Sequence, residues 1–419
     1  MTTSRMATNP CGRTFVSYRR SALPDVQRLV VAMRARGIPT WRDVDDLESE
    51  LTGDALTRAL EAEDTAAAVS WITRDVENSS VIQRVELPRI LGRARDDGPF
   101  FVEFVLAGGL DYKDADAILQ QVPTLDSLSN GWNVTKTGEP IDDSQVCGIA
   151  RRVLHRRLRE VAAHRPGPLR MAVHTRADAP LAYSGDTSLQ VDWCSLFEGR
   201  LAHQGAWEAS IFPALRDVAS TIQRTCRDRD VIATGMCALP AGFAIGRAFV
   251  EPSGLRLVWR QHTGAAEQDW SLRVAPEPSG FRIEATHSDL SAQDIAVLVS
   301  VRGDVEPAVR ATKELPRFAV VSRVTPEAGI FPARIDTPGQ AVHLARAVAD
   351  EIRRVRTSHA YATRTHIFLS GPVGLAVLIG QQLNGLGPVQ TYEHIQGDGP
   401  GTYVAAALLT DHLQGGATA

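Results

Sequence analysis

Residues 14–20 read TFVSYRR, a short β-rich run ending in two arginines, and apolar residues at Val26, Leu29, Val30 and Met33 then keep helical spacing until Gly37. A strand that hands over to one helix predicts the start of a parallel αβ unit. The alternation continues with IPTW (38–41) as a strand, the polar loop RDVDDLESE (42–50), and a helix from about Thr52 to Glu61. The strand AAAVSWIT (66–73), a helix around Val81 to Arg93 and the apolar strand PFFVEFVLA (99–107) follow. Strands separated by single helices make a parallel sheet covered on both faces, so the fold class expected is α/β.

Ser144 to His164 reads as one helix, with Val146, Ile149, Val153, Leu154, Leu158 and Val161 on one side. Arg151, Arg152, Arg156, Arg157 and Arg159 fall largely elsewhere and are expected to form a solvated basic face. The segment RPGP (165–168) breaks this helix and sets the expected division, 1–165 and 166–419. A chain of 419 residues exceeds what one hydrophobic core supports, which agrees with two domains. Hydrophobic residues at 44% and charged residues at 22% predict a folded chain. A net charge of −4 is too weak a field to hold duplex DNA. Five cysteines without zinc or redox spacing, no signal-peptide-like N-terminus and no apolar run of about 18 residues predict a cytoplasmic, non-membrane protein.

The second part resembles itself. VIATGMCALPAGFAIGRAFVEPSGLRLVWRQ (231–261) and HIFLSGPVGLAVLIGQQLNGLGPVQTYEH (366–394) share a strand, a glycine, a small-residue helix and a second strand. LRMAVHT (169–175) and DIAVLVSVR (294–302) open the two halves. A duplicated unit of this kind makes a pseudo-symmetric cleft. A glycine after a strand lets the backbone approach a phosphate, and the next helix aims its N-terminal amides at the charge. Gly235 and Gly371, the latter with Pro372, hold that position, while Trp259, next to Arg260, and Tyr392 are candidates to stack on a base. No metal-ligand spacing, phosphate-binding Gly-Lys-Ser/Thr loop or nucleophile elbow is present.

FVSYRR (15–20), GIPTWRDVDDLE (37–48) and WITRDVENSSVIQRVELP (71–88) together resemble the TIR domain family in order, spacing and residue type, across residues 13 to 110. The resemblance implies a flavodoxin-like domain in which the second motif leads into the BB loop and the third places a glutamate, here Glu86, toward the same pocket. Some family members are scaffolds and others cleave NAD at the nicotinamide–ribose bond. NAD-cleaving members commonly carry an aromatic residue four positions before the glutamate, where this chain has Ile82. The implied NAD-binding set is Ser17, Tyr18, Arg19 and Arg20 after the first strand, with Asp43, Asp46 and Leu47 in the BB loop. Guanidinium groups suit a pyrophosphate. Independently of family, breaking this bond leaves an oxocarbenium-like ribose that a carboxylate stabilises.

QVDWCSLF (190–197), the glycine-centred repeat and TYEH (391–394) resemble the SAVED family over residues 168 to 415, a domain of two fused CARF-like units. That resemblance implies a cyclic oligonucleotide as ligand, tri-adenylate first among them, and places the chain among effectors of cyclic-oligonucleotide-based antiphage (CBASS) systems. The expectation is an NAD glycohydrolase needing no cofactor, with NAD as substrate and the cyclic oligonucleotide as activator through self-association into an oligomer or filament. The products are nicotinamide and ADP-ribose or cyclic ADP-ribose. A non-enzymatic TIR signalling adaptor and a hydrolase of another nucleotide are the alternatives.

Overall fold

The computed structural model describes residues 8–42, 52–123, 125–176, 183–263, 266–289, 291–397 and 399–411. The chain divides into two compact units, one of Met1–Ala172, Leu181–Asp192 and Arg224–Cys226, the other of Val173–Pro180, Trp193–Gln223 and Arg227–Ala419.

In the first unit β1 (Arg13–Ser17), α1 (Leu23–Ala35), β2 (Thr40–Trp41), α2 (Thr52–Glu61), β3 (Thr65–Ile72), α3 (Leu87–Asp96), β4 (Phe101–Leu106), α4 (Tyr112–Ile118) and β5 (Val134–Lys136) alternate along the chain. The strands form one sheet in the order β2-β1-β3-β4-β5, every pair parallel. All residues of β3 and β4 are buried, which is why both read as nearly continuous apolar runs, broken only by Ser70 and Glu103 inside them, instead of alternating. Phe15 stacks on Trp41 at 5.0 Å on one face of the sheet, inside a core that also takes Leu56, Leu60, Ile82, Leu87 and Ile90. The strand order reverses between β1 and β3, so their carboxyl ends flank a crevice of the type in which open α/β sheets bind ligands.

The helix expected from Val81 to Arg93 is not uniform. Residues Ile82–Glu86 form a π-helical turn, in which the Leu87 N–H bonds to the Ile82 carbonyl five residues back. Pro88 explains it: proline has no N–H for the Arg84 carbonyl, and its ring crowds that oxygen. The same device recurs at Trp207–Ile211, where the Phe212 N–H bonds to Trp207 O immediately before Pro213.

Next comes α5 (Asp143–His164), opened by a capping box in which the Asp142 carboxylate accepts from the Gln145 N–H and the Gln145 amide accepts from the Asp142 N–H. Its apolar side is the expected one, but Arg157 is not on a solvated face. It is 1% exposed and surrounded by carbonyl groups: Nε donates to Ser188 O (2.9 Å), Nη1 to Gly12 O (2.6 Å) and Nη2 to Cys11 O (2.6 Å). Position 157 lies four residues after Val153 and four before Val161, on the apolar stripe itself.

β6 (Leu169–His174) carries the chain from one unit to the other, and β7 (Leu189–Asp192) belongs to the first. The second unit contains most of α6 (Phe212–Thr225), then β8 (Asp230–Met236), α7 (Leu239–Ala248), β9 (Arg256–Thr263) and β10 (Ala266–Trp270). β9 runs parallel to β8 and antiparallel to β10. β11 (Phe281–His287), β12 (Asp294–Ser300), α8 (Glu306–Ala311), β13 (Phe318–Pro326), α9 (Pro338–Ser358), β14 (Arg364–Ser370), α10 (Val373–Gly380), β15 (Val389–Ile395) and β16 (Thr402–Leu409) complete it. Their six strands form a sheet ordered β11-β13-β12-β14-β15-β16, parallel in the middle and antiparallel at both edges.

The self-similarity read in the sequence is a repeated strand–helix–strand: β8-α7-β9 and β14-α10-β15, each with its two strands parallel. Corresponding residues close the two halves alike, the Thr175 N–H on Met236 O (3.2 Å) and the Val301 N–H on Ser370 O (2.9 Å). The helices α7 and α10 cross on their glycines. A Cβ at Gly246 would stand 2.8 Å from Gln381 N and overlap the Val377 carbonyl oxygen, and one at Gly380 would overlap Phe243 O.

No helix among the described residues is long and apolar enough to cross a membrane. Cys11, Cys147, Cys194, Cys226 and Cys237 form no disulfide.

Two outcomes test this architecture. Replacing Arg157 by Met leaves three buried carbonyls without their donor, each costing about 1–3 kcal/mol, so urea denaturation should show a loss of several kcal/mol. The second concerns Glu393 on β15, 1% exposed and paired with Arg200 at 2.5 Å. Burial pushes its carboxyl from 4.5 up to about 7 against the pull of Arg200. Because the folded state holds this proton more tightly, its contribution to stability is complete below about pH 4.5 and lost as pH rises through about 7. Denaturation midpoints of Glu393→Gln should lack that fall.

Candidate functional site

At the β1/β3 crevice of the first unit, Ser17 is the last residue of β1 and is buried, Tyr18 and Arg19 are half-buried, and Arg20 is exposed. Asp43, Asp46 and Leu47 lie outside the described residues. Glu86 closes the π-helical turn and is 7% exposed. The extra residue in that turn sets the direction of Glu86, since each added residue rotates a helix by about 100°.

Asp75, just beyond β3, was not singled out from the sequence, yet it ties the crevice together. It accepts from Thr73 Oγ1 (2.6 Å) and Ser21 Oγ (2.7 Å) and faces Arg19 Nε at 3.5 Å. These bonds and the Arg19 charge outweigh its partial desolvation and hold its carboxyl below the usual carboxylate range. Gln83 Nε2 donates to Val76 O (3.1 Å) and Glu77 O (2.8 Å), so the loop after β3 is fixed both to the end of β1 and to the turn bearing Glu86.

The second unit holds a cavity of about 530 Å³. Its walls are the carboxyl end of β9 (Gln261, His262, Thr263), β10 (Gln268, Trp270), Val301 and Arg302 after β12, Ala333 to Asp336, and Pro372 after β14. The chain leaves β12 for β13 on one side and returns as β14 on the other, so this too is a strand-order reversal. Both halves of the duplicated unit contribute walls.

The cavity is anchored by a tight interior. Trp259 and Trp270 face each other across β9 and β10, and Gly374 leaves no room for a Cβ against either ring, 2.8 Å away. The Gly374 N–H donates to Gln261 Oε1 at 3.0 Å, joining the first turn of α10 to β9. Gln268 receives the Trp270 indole N–H (3.2 Å) and donates to Asp336 O (2.9 Å).

Two guanidiniums in this cavity, Arg302 and Arg334, are exposed and make no ion pair among the described residues. Arg323 and Arg310, by contrast, hold Glu306 at 2.7 and 2.6 Å, pulling its carboxyl down to about 2. Uncommitted cations in a concave, partly apolar space suit a polyanionic ligand.

The residues expected to hold nucleotide are distributed differently. Pro372 lines the cavity. Gly371 precedes it, half-buried. Gly235 sits where a Cβ would overlap the Val173 carbonyl oxygen, so its role is close strand packing. Trp259 is 2% exposed and belongs under the cavity floor. Arg260 alternates to the other side of β9 and is held by Asp269 at 2.8 and 3.1 Å. Tyr392 is 6% exposed, stacked on Phe368 at 4.4 Å with its hydroxyl 2.7 Å from His366 Nδ1, so its ring has no face for a base. Arg302 and Arg334 were missed, although Arg302 ends the quoted run DIAVLVSVR at a strand's carboxyl end.

A parallel-sheet unit combined with a duplicated α/β unit enclosing an anion-suited cavity defines a two-part protein with a ligand-binding module. Residues 214–409 match the family model of the SMODS-associated and fused to various effectors sensor domain, SAVED, somewhat under half of the chain. All of the cavity residues lie within the matched stretch. Among solved structures it is similar to the Acinetobacter baumannii Cap4 SAVED/CARF-domain containing receptor with the cyclic trinucleotide 3′3′3′-cAAA, at 13% identity over 87% of this chain and 86% of that chain, TM-score 0.47. The same receptor with 2′3′3′-cAAA gives the same figures. The Moraxella osloensis Cap4 receptor matches at 13% identity over 95% of this chain and 87% of that chain, TM-score 0.42. No curated protein matches the chain.

If Arg302 and Arg334 form the anion site, replacing both by Gln should remove the salt-dependent part of tripolyphosphate binding measured by calorimetry, while the melting temperature stays within a degree or two.

Proposed function

We propose that the chain is an antiphage effector in which a cyclic oligonucleotide, bound in the SAVED cavity, switches on cleavage of NAD by an N-terminal TIR domain. The observation that carries the sensor half is the pair of uncommitted guanidiniums at a strand-order reversal inside the SAVED match. A ring of nucleotides brings several phosphates and flat bases, which suits a cavity of about 530 Å³ with cationic and aromatic walls. Cyclic tri-adenylate is the ligand of choice.

The TIR half rests on the three motifs and is supported by the all-parallel β2-β1-β3-β4-β5 sheet and by Glu86 on a π-helical turn whose Gln83 is bonded to the loop that carries Asp75. In this reading the Glu86 carboxylate stabilises the positive charge that builds on the ribose as the bond to nicotinamide breaks. Water then adds to the ribose carbon to give ADP-ribose, or the adenine adds to give the cyclic product. Arg19, oriented by Asp75, holds the pyrophosphate. Messenger binding acts through self-association of chains, which completes the NAD pocket.

Nicotinamide release from NAD should therefore be low without ligand, rise on adding one cyclic oligonucleotide from a panel of di- and trinucleotides, and fall by about 100-fold or more in Glu86→Gln. Messenger binding without nicotinamide release would make the chain an adaptor instead.

A further inference from the structure

The sensor cavity holds one anion among its cations. Asp336 lines the cavity with Arg334, beside Gln268, and is exposed; among the described residues its carboxylate has neither an ion pair nor a hydrogen bond. Its backbone is pinned on both sides, the N–H donating to Gln340 Oε1 and the carbonyl accepting from Gln268 Nε2, each at 2.9 Å. The residue is held in place while its side chain is left unspent.

The ordinary employment for an aspartate here would be the N-terminus of α9, which starts two residues on. That helix is already capped: the Thr337 hydroxyl accepts from the Gln340 N–H at 3.2 Å. The neighbouring polar side chains are also occupied, Gln261 by the Gly374 and His262 backbone and Gln268 by Trp270 and Asp336 O. Arg302, Arg334 and Asp336 are thus the charged groups of the cavity still open to a ligand.

A carboxylate in a phosphate site weakens phosphate binding, since two anions repel. It fits only a ligand that also presents an N–H or O–H donor at that point. We propose that Asp336 reads the base of the bound cyclic oligonucleotide, accepting a hydrogen bond from the exocyclic amino group of adenine, while Arg302 and Arg334 take phosphates. This rests on the sensor reading above and adds base selectivity to it. A base with a carbonyl at that position, such as uracil, would bring oxygen against oxygen.

The test is calorimetric binding of 3′,3′,3′ cyclic tri-adenylate and of the same ring built from purine riboside, which lacks only the amino group, to the full chain and to Asp336→Ala. Wild type should prefer the adenine ring by about tenfold or more. Asp336→Ala should bind both rings equally, and the purine ring no more weakly than wild type does, with an unchanged melting temperature. The proposal fails if the variant keeps the adenine preference, if wild type shows none, or if the variant weakens both rings alike, which would place Asp336 on a ribose hydroxyl. If wild type binds neither ring nor their di- and tetranucleotide counterparts, the sensor reading itself falls and takes this one with it.

Discussion

The sensor unit depends on one steric constraint, the backbone-to-backbone crossing of α7 and α10. Gly246 lies 2.9 Å, measured from the place its Cβ would occupy, from the Cα of Gly380, and no side chain fits between the helices at that point. So close a crossing fixes the start of α10, where the Gly374 N–H reaches Gln261 and its missing side chain makes room for Trp259 and Trp270. Pro372 and the end of β9 are cavity walls, so the spacing of two helices sets the width of the cavity. The glycines of this crossing, Gly246 and Gly380, are not the ones the sequence suggests as phosphate contacts: Gly235 packs on the Val173 backbone, and Gly371 lies against Leu369 and Leu375.

What could be read from sequence was what depends on periodicity. The parallel sheet follows from β3 and β4 being apolar nearly throughout, Thr65, Ser70 and Glu103 excepted, and the repeat from the strand–glycine–helix order at Gly235 and Gly371. The failures concern partners. Arg157 has the composition of a surface helix residue, and only the three carbonyls from Cys11, Gly12 and Ser188 make it a core residue. Trp259 and Tyr392 carry the flat rings a base would stack on, but a ring that covers a base and a ring that fills a core are the same side chain. Arg302 and Arg334 show the reverse case: whether an arginine finds an ion-pair partner is a property of the folded chain, and no local pattern records it.

Two sorts of charged group stand out in the second unit. Glu306 with Arg310 and Arg323, Arg260 with Asp269, and Glu393 with Arg200 neutralise one another and stiffen the scaffold. Arg302, Arg334 and Asp336 stay uncommitted around one cavity. Because both kinds occur within one unit of one chain, the difference is not a matter of overall composition. Pairing lowers the cost of charges that only hold structure, whereas a charge meant for a ligand keeps its strength by having no competitor at home.

The π-helical turn before Pro88 has a mechanical meaning as well. A helix with one surplus residue is a stiff rod with a rotary joint: the surplus passes along the axis by exchanging one carbonyl partner for the next, while the turns on either side keep their hydrogen bonds. Such a shift would swing Glu86 about the axis by roughly 100° without sliding the helix over the sheet. A proline two residues after the joint limits how far the surplus travels toward the carboxyl end. In the structure Glu86 is held 7% exposed, so the position of the surplus and the packing of Ile82 and Gln83 beside it set the orientation of its carboxylate together.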